Sequence, residues 1–298
     1  MHRLLHIALL LSLLTAGCYK PEAESHALGS EKNPLTMAFV PSTEAEKVVS
    51  SGDELCELLS AETGLHFRSM VATSYVGIVE AMAADKVQVG WLPPMAYVFA
   101  HERNGDQAIL KVVRHGKSSY RGQILVGSDS GIENITDLKG RRIAYPEQAS
   151  TSGHLYPATL LIEAGLDPEV DLEESYSGSH DAAVLALAKG SVDAACCFED
   201  ARQKLVDNGM DELMQSTRVL AYTPEIPADN VSVTAGLDPE LTARIRDGLL
   251  ALAASEEGKR VLFELYEVEG LVTAADSDYD PVRNMANLLG LDIEKEID

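Results

Sequence analysis

The chain has 298 residues, of which 46% are hydrophobic, and its 24 basic against 47 acidic side chains give a formal net charge of −23 at pH 7. That surplus of acid argues against nucleic acid and anionic lipid surfaces as partners, and it repels small anions unless local donors override it. The length suits one or two domains with substantial cores, and no run beyond Cys18 is long and apolar enough to cross a membrane.

In chain order, "MHRLLHIALLLSLLTAGC" carries one Arg and then an apolar run from Leu4 to Leu14, short for a spanning helix and followed by small residues. Residues 1–17 read as an export signal. Ala16-Gly17 before Cys18 resembles a bacterial lipobox, although Thr15 stands where an aliphatic residue is usual, one place after Leu14. Cys18 is the expected lipidation site, which places the protein in the periplasm or on the outer face of the cell membrane, held by lipid alone. Residues 18–32 read as a polar tether.

Strands and helices then alternate. "LTMAFVP", "HFRSMVA" and "VQVGWL" read as strands, separated by helices at 44–62 and "YVGIVEAMAADK" and followed by the helix "PMAYVFAHERN". Extended stretches at 107–114 and 120–128 lead to a "DLKG" turn and a strand at 142–146. Helix 180–189, strand 192–197, helix 199–208 and strand 217–222 follow, before helices near 238–253, 256–266 and 280–289. The alternation predicts α/β layers with largely parallel strands. Cys56, Cys196 and Cys197 show neither a disulfide framework nor metal spacing and read as buried thiols. No cofactor and no metal are expected.

"YPEQASTSGH" (145–154) places Ser150, Thr151 and Ser152 in a row before "LYPATLLIEAG", whose apolar spacing is helical and whose Gly165 reads as a C-cap. One N-cap needs one hydroxyl. Three, with Gly153 to admit a ligand to the backbone, suggest an anion cradle at a helix N-terminus. A second signal is a weak duplication. "SYVGIVEAMAADKVQVG" (74–90) aligns without gaps on "SHDAAVLALAKGSVDAA" (179–195), pairing Val79 with Val184 and Val87 with Val192. It sets Tyr75 and His180 at equivalent positions, each just after a capping Ser, where helix mouths meet ligands at the carboxyl ends of strands.

The segment from "YRGQILVGSDSG" through "DLKG", "STSG", Pro157 and "AGLDPE" closely resembles the phosphonate-binding (PhnD-type) substrate-binding proteins of ABC importers, a family that includes phosphite and phosphate binders. "TSYVGIVEAM", "SGSHDAAVLALAKGSVDAA" and "IPADN" continue the match, which runs from about residue 35 to about residue 270. The resemblance implies a type II periplasmic-binding-protein-like α/β fold: two lobes, 33–122 plus 223–298 and 123–222, joined by hinge strands near 118–126 and 221–229, with the ligand between them. It also implies that Ser150, Thr151 and Ser152 hold the oxyanion, that His180, Tyr75 and Tyr120 contact it, and that Asp229 and Asp200 are acidic cleft positions. Asp229 accepts from a P–OH or an amine, and Asp200 suits a ligand amine. Leu92-Pro93 stands where many members carry an aromatic-glycine pair beside the cleft.

The function implied is capture of a phosphonate, phosphite or phosphate and its delivery, by a monomer, to an ABC permease with its ATPase. Two rivals remain open: the ligand-sensing domain of a signalling receptor, and a Ser/His hydrolase using Ser152 and His180 with Asp181 or Asp200. The G-x-S-x-G, H-E-x-x-H and P-loop patterns are missing from the sequence.

Overall fold

A computed structural model describes residues 26–42 and 45–291. The export segment and Cys18 lie outside the described residues. The first part of the chain forms β1 (Leu35–Phe39), α1 (Ala45–Thr63), β2 (Phe67–Val71), α2 (Tyr75–Ala83), β3 (Val89–Leu92), α3 (Pro94–Asn104) and β4 (Gln107–Val113). β5 (Ser119–Tyr120), β6 (Gly122–Gly127) and β7 (Arg142–Tyr145) follow. A π-turn (Thr151–Leu155) then runs into α4 (Tyr156–Glu163), ahead of α5 (Pro168–Asp171), β8 (Glu173–Tyr176), α6 (His180–Ala188), β9 (Ala194–Phe198), α7 (Ala201–Asp207), α8 (Leu213–Ser216) and β10 (Thr217–Tyr222). The chain closes with β11 (Ile226–Pro227), β12 (Asn230–Val233), α9 (Pro239–Ala254), α10 (Glu256–Tyr266), β13 (Gly270–Thr273) and α11 (Asp280–Leu288).

Two sheets organise these elements. One has the order β13-β4-β12-β3-β1-β2, the other β10-β6-β9-β7-β8, and a two-stranded β5–β11 pair joins Ser119–Tyr120 to Ile226–Pro227 between them. Each sheet is packed on both faces, giving three layers apiece. In the first, Val48, Leu55 and Leu59 of α1 and Leu249 and Leu262 of α9 and α10 cover one face, and Ile78, Tyr97 and Val282 of α2, α3 and α11 cover the other. In the second, Leu161 of α4 and Val184 of α6 lie on opposite faces.

Local sequence explains the pieces. β1 is buried at all five positions, the pattern of an internal strand covered on both faces. Its partner helix α1 places Val48, Leu55 and Leu59, all fully buried, on one stripe. Each such side chain contributes about 1.5–3 kcal/mol of burial. A Cβ on Gly52 would sit 2.8 Å from the Phe39 ring, so glycine lets α1 lie against β1. α3 starts at Pro94, with Pro93 ahead of it, and is buried continuously from Pro94 to Ala100, so it sits inside the molecule rather than on its surface.

The strands are mixed rather than largely parallel. β1–β2, β1–β3, β7–β8 and β7–β9 are parallel, whereas β12 runs antiparallel to β3 and β4, β13 to β4, and β6 to β9 and β10. Strands β8, β12 and β13 carry no clear strand signal in the sequence. "EESY" is a polar edge strand whose apolar alternation is erased, and "NVSV" and "GLVT" are four-residue pieces too short for a periodic signal.

Candidate ligand-binding cleft

A cleft of about 250 Å³ lies between the two sheets, and the residues that line it follow the carboxyl ends of strands. Val40 and Ser42 come after β1, Tyr75 after β2, Leu92 and Pro93 at and after the end of β3, Ser150–Ser152 after β7, His180 after β8, and Glu199 and Asp200 after β9. All eight ligand-contact residues expected from the sequence — Ser150, Thr151, Ser152, His180, Tyr75, Tyr120, Asp229 and Asp200 — border this one space. So do Leu92 and Pro93, the departure noted in the sequence.

The three hydroxyls have three different tasks. Ser150 is the N-cap: its Oγ accepts from the Gly153 N–H at 3.1 Å. Thr151 Oγ1 accepts from the Met95 N–H at 2.9 Å, across the cleft from the first sheet's unit. Ser152 borders the cleft beside the Tyr120 phenol. All three are 1–3% exposed. A hydroxyl that accepts from a backbone N–H still has its own O–H to give. The helix opens with a wider π-turn rather than an ordinary first turn, and the His154 and Leu155 N–H groups both return to the Ser150 carbonyl at 3.0 Å. Gly153 acts differently from the sequence expectation. A Cβ there would lie 2.2 Å from Pro146 and 2.9 Å from His180, so its missing side chain makes room for the protein and not for a ligand.

The duplicated helix mouths hold in detail. Ser74 caps α2 by accepting from Gly77 N, Ser179 caps α6 by accepting from Ala182 N, and Tyr75 and His180 occupy the first turn of each. His180 Nδ1 accepts from the Phe198 N–H at 3.3 Å, which puts the ring proton on Nε2. Burial, reinforced by the nearby Lys204 charge, pushes its pKa down to about 3. Burial, with the Asp229 carboxylate next in weight, drives the Tyr75 and Tyr120 phenols well above their ordinary value. At neutral pH these three side chains are uncharged donors.

The charged residues are paired. Asp229 Oδ2 accepts from Arg114 Nη2 at 3.0 Å, while Arg114 Nε donates to the Tyr266 carbonyl at 2.8 Å. Asp200 precedes α7 without capping it, and its Oδ2 meets His115 Nε2 at 3.0 Å. One turn further along α7, Lys204 Nζ stands 3.8 Å from Glu267, its side chain only 9% exposed and its pKa lowered by burial. Asp200 and Lys204 thus face a base and an acid from the other unit, and the backbone adds a bond from His180 N to the Ser42 carbonyl at 3.3 Å. His115 and Glu267 share a further property: both are non-glycine residues in left-handed conformation, with φ of 50° and 56°. Such backbone costs of order 1 kcal/mol or more and gathers at clamps.

Sequence reasoning missed Arg114, Lys204 and the aromatic wall of Trp91 and Tyr266, whose rings lie 6.4 Å apart. "KVVRHGK" and "ARQKLVD" carry no motif, and the partners of their cations lie 115 and 63 residues away.

Comparison with known proteins supplies the context. The profile of a family described as "ABC transporter, phosphonate, periplasmic substrate-binding protein" matches residues 37–279. The phosphate-import protein PhnD of Mycolicibacterium smegmatis is 26% identical, with 97% of this chain and 96% of that protein covered. The phosphonates-binding periplasmic protein of Escherichia coli K12 is 24% identical over 88% of this chain and 78% of that protein. A binding component of an ABC phosphonate transporter from Pseudomonas aeruginosa superposes with a TM-score of 0.78 at 23% identity, covering 85% of each chain. A Prochlorococcus marinus protein in complex with methylphosphonate superposes at 0.77 with 18% identity, covering 86% of this chain and 98% of that one. At these identities the two structures establish a shared fold, that of type II periplasmic binding proteins.

Proposed function

Because this chain belongs to the periplasmic phosphonate substrate-binding proteins of ABC transporters, we propose that its cleft captures a small phosphorus oxyanion — phosphonate, phosphite or phosphate — for delivery to an ABC permease and its ATPase. The observation that carries this reading is the donor set. Ser150 and Thr151 accept from backbone N–H groups and so keep O–H protons to give, beside the Nε2–H of a neutral His180 and the phenols of Tyr75 and Tyr120. Buried donors held at fixed positions suit a tetrahedral oxyanion, and Arg114 and Lys204 add positive charge nearby.

The same His180 geometry supports binding over hydrolysis. A catalytic imidazole donates from Nδ1 to an orienting carboxylate, whereas here Nδ1 accepts from an amide. The unit of residues 33–122 plus 223–298 and that of 123–222 act as lobes, with hinges near 118–126 and 221–229 and closure stabilised by ligand. The protein works as a monomer tethered outside the cytoplasm by lipid on Cys18. Cys18→Ala should leave an unprocessed or mislocalised precursor, and normal processing with no lipid on the wild type would refute the anchor.

The function is tested by calorimetric titration of the mature protein with phosphate, phosphite and methylphosphonate, with sulfate alongside. Heats of binding from at least one phosphorus oxyanion are expected. Silence from all three would overturn the reading.

A further inference from the structure

We propose that the oxyanion taken by this cleft carries no amine, so that the protein selects phosphate, phosphite or a short alkylphosphonate over an aminoalkylphosphonate; this rests on the oxyanion reading above. An ammonium group entering a closed cleft needs a carboxylate whose charge is not already compensated. Four carboxylates border the space; three stand against a protein cation, Asp229 against Arg114 at 3.0 Å, Glu199 against Arg121 at 2.9 Å and Glu267 against Lys204 at 3.8 Å, and the fourth, Asp200, meets the His115 imidazole at 3.0 Å.

The Arg114–Asp229 pair is the hardest to break. The Arg114 side chain is 21% exposed, and its guanidinium is fixed twice, by Asp229 and by the Tyr266 carbonyl. An ammonium that reached Asp229 would lie against Arg114 and compete with a guanidinium that cannot leave without becoming a partly buried unpaired cation. At Asp200 the imidazole already occupies one carboxylate oxygen, and this pair is the most exposed of the four, 70% for the His115 side chain and 39% for that of Asp200. Among the described residues, Lys117 borders the cleft without an ion pair, so an ammonium would enter beside an uncompensated cation. The ligand's ammonium finds no carboxylate that is not already in contact with a basic group of the protein. An alkyl group does find a surface to meet: Trp91, Leu92 and Pro93 form an apolar stretch of the wall.

The experiment compares ethylphosphonate with 2-aminoethylphosphonate, which differ by the amine, by calorimetry at pH 7 with inorganic phosphate as reference. Wild-type protein should bind 2-aminoethylphosphonate at least tenfold more weakly than ethylphosphonate. Asp200→Asn should shift both phosphonates and phosphate by one common factor, since the carboxylate serves His115 and not the ligand. A difference below tenfold, or an Asp200→Asn loss confined to the amine-bearing ligand, overturns the inference while leaving the oxyanion reading intact. No binding by any of the three overturns the oxyanion reading and this inference with it.

Discussion

Thr151→Ala separates the two tasks of one hydroxyl. Thr151 Oγ1 accepts from the Met95 N–H at 2.9 Å, and Met95 is fully buried. Removing the oxygen leaves that N–H without a partner whenever the units are together, a cost of about 1–3 kcal/mol that disappears when the cleft opens to water. The same substitution removes an O–H donor from the oxyanion, worth about 1.5–3 kcal/mol for a bond to a charged group. Both losses fall on the closed, liganded state, so they add. The lower ends sum to about 2.5 kcal/mol, roughly seventyfold in Kd. Thr151→Ser keeps the oxygen and should stay within about fivefold of wild type, a margin of about 1 kcal/mol. The single tryptophan, Trp91, lines the cleft, so its emission follows binding alongside calorimetry. Thermal unfolding without ligand should change little if the ligand-free protein rests open. A Thr151→Ala protein that binds phosphate within threefold of wild type would refute the reasoning.

Four further outcomes follow from the same geometry. The pKa of His180, near 3 in the fold against about 6.5 when unfolded, means that the unfolded chain binds the extra proton first, so stability present above pH 6.5 is lost as pH falls towards 3. Urea unfolding at pH 7 and pH 5 should show wild type losing up to about 2 kcal/mol more than His180→Asn, and equal losses would contradict a buried neutral imidazole. Gly153→Ala must push a methyl into Pro146 and His180, so its melting temperature should fall by several degrees, the effect of about 1–3 kcal/mol of overpacking; an unchanged melt rules that packing out. His115 is 70% exposed on its side chain, so His115→Ala and Asp200→Ala should each weaken phosphate by less than about fivefold, with the double variant no worse than the singles; additive losses would show that the two side chains do not act as a pair. Small-angle scattering should record a smaller radius of gyration at saturating ligand, and an identical profile would count against hinge closure.

What the sequence could reveal was local. Ser74 and Ser179, each three residues ahead of the amide it caps, carry their helix starts in their own spacing, and so the positions of Tyr75 and His180 were legible. The hydroxyl run was legible as a helix mouth, but not its division of labour, because Met95 and Tyr120 are brought to it only by packing of distant segments. The carboxylates show the limit most clearly. Asp200 and Asp229 could be placed at the cleft, yet whether their charge was available depended on His115 and Arg114, 85 and 115 residues away. Composition could not show it either, since a chain with this acid surplus has no apparent shortage of carboxylates for a ligand amine.

The net charge of −23 then acquires a physical meaning at the site. A cleft that met the anion with unpaired cations would set a strong local field against the field of the whole protein and attract any small anion by charge. Here the cations mostly stand in pairs, and the hydroxyl, phenol and imidazole groups that line the cleft are neutral, the phenols kept protonated by burial and the imidazole held uncharged with Nδ1 already occupied. Recognition by neutral donors depends on their number and direction rather than on net attraction, so geometry, more than charge, separates one oxyanion from another. The proposed closure would add to this selectivity. On the proposed hinge closure, the Met95–Thr151 bond and the pairs of Asp200 with His115 and of Lys204 with Glu267 form as the two units meet. A ligand of the wrong shape that holds the units apart therefore loses those cross-cleft bonds together with its own.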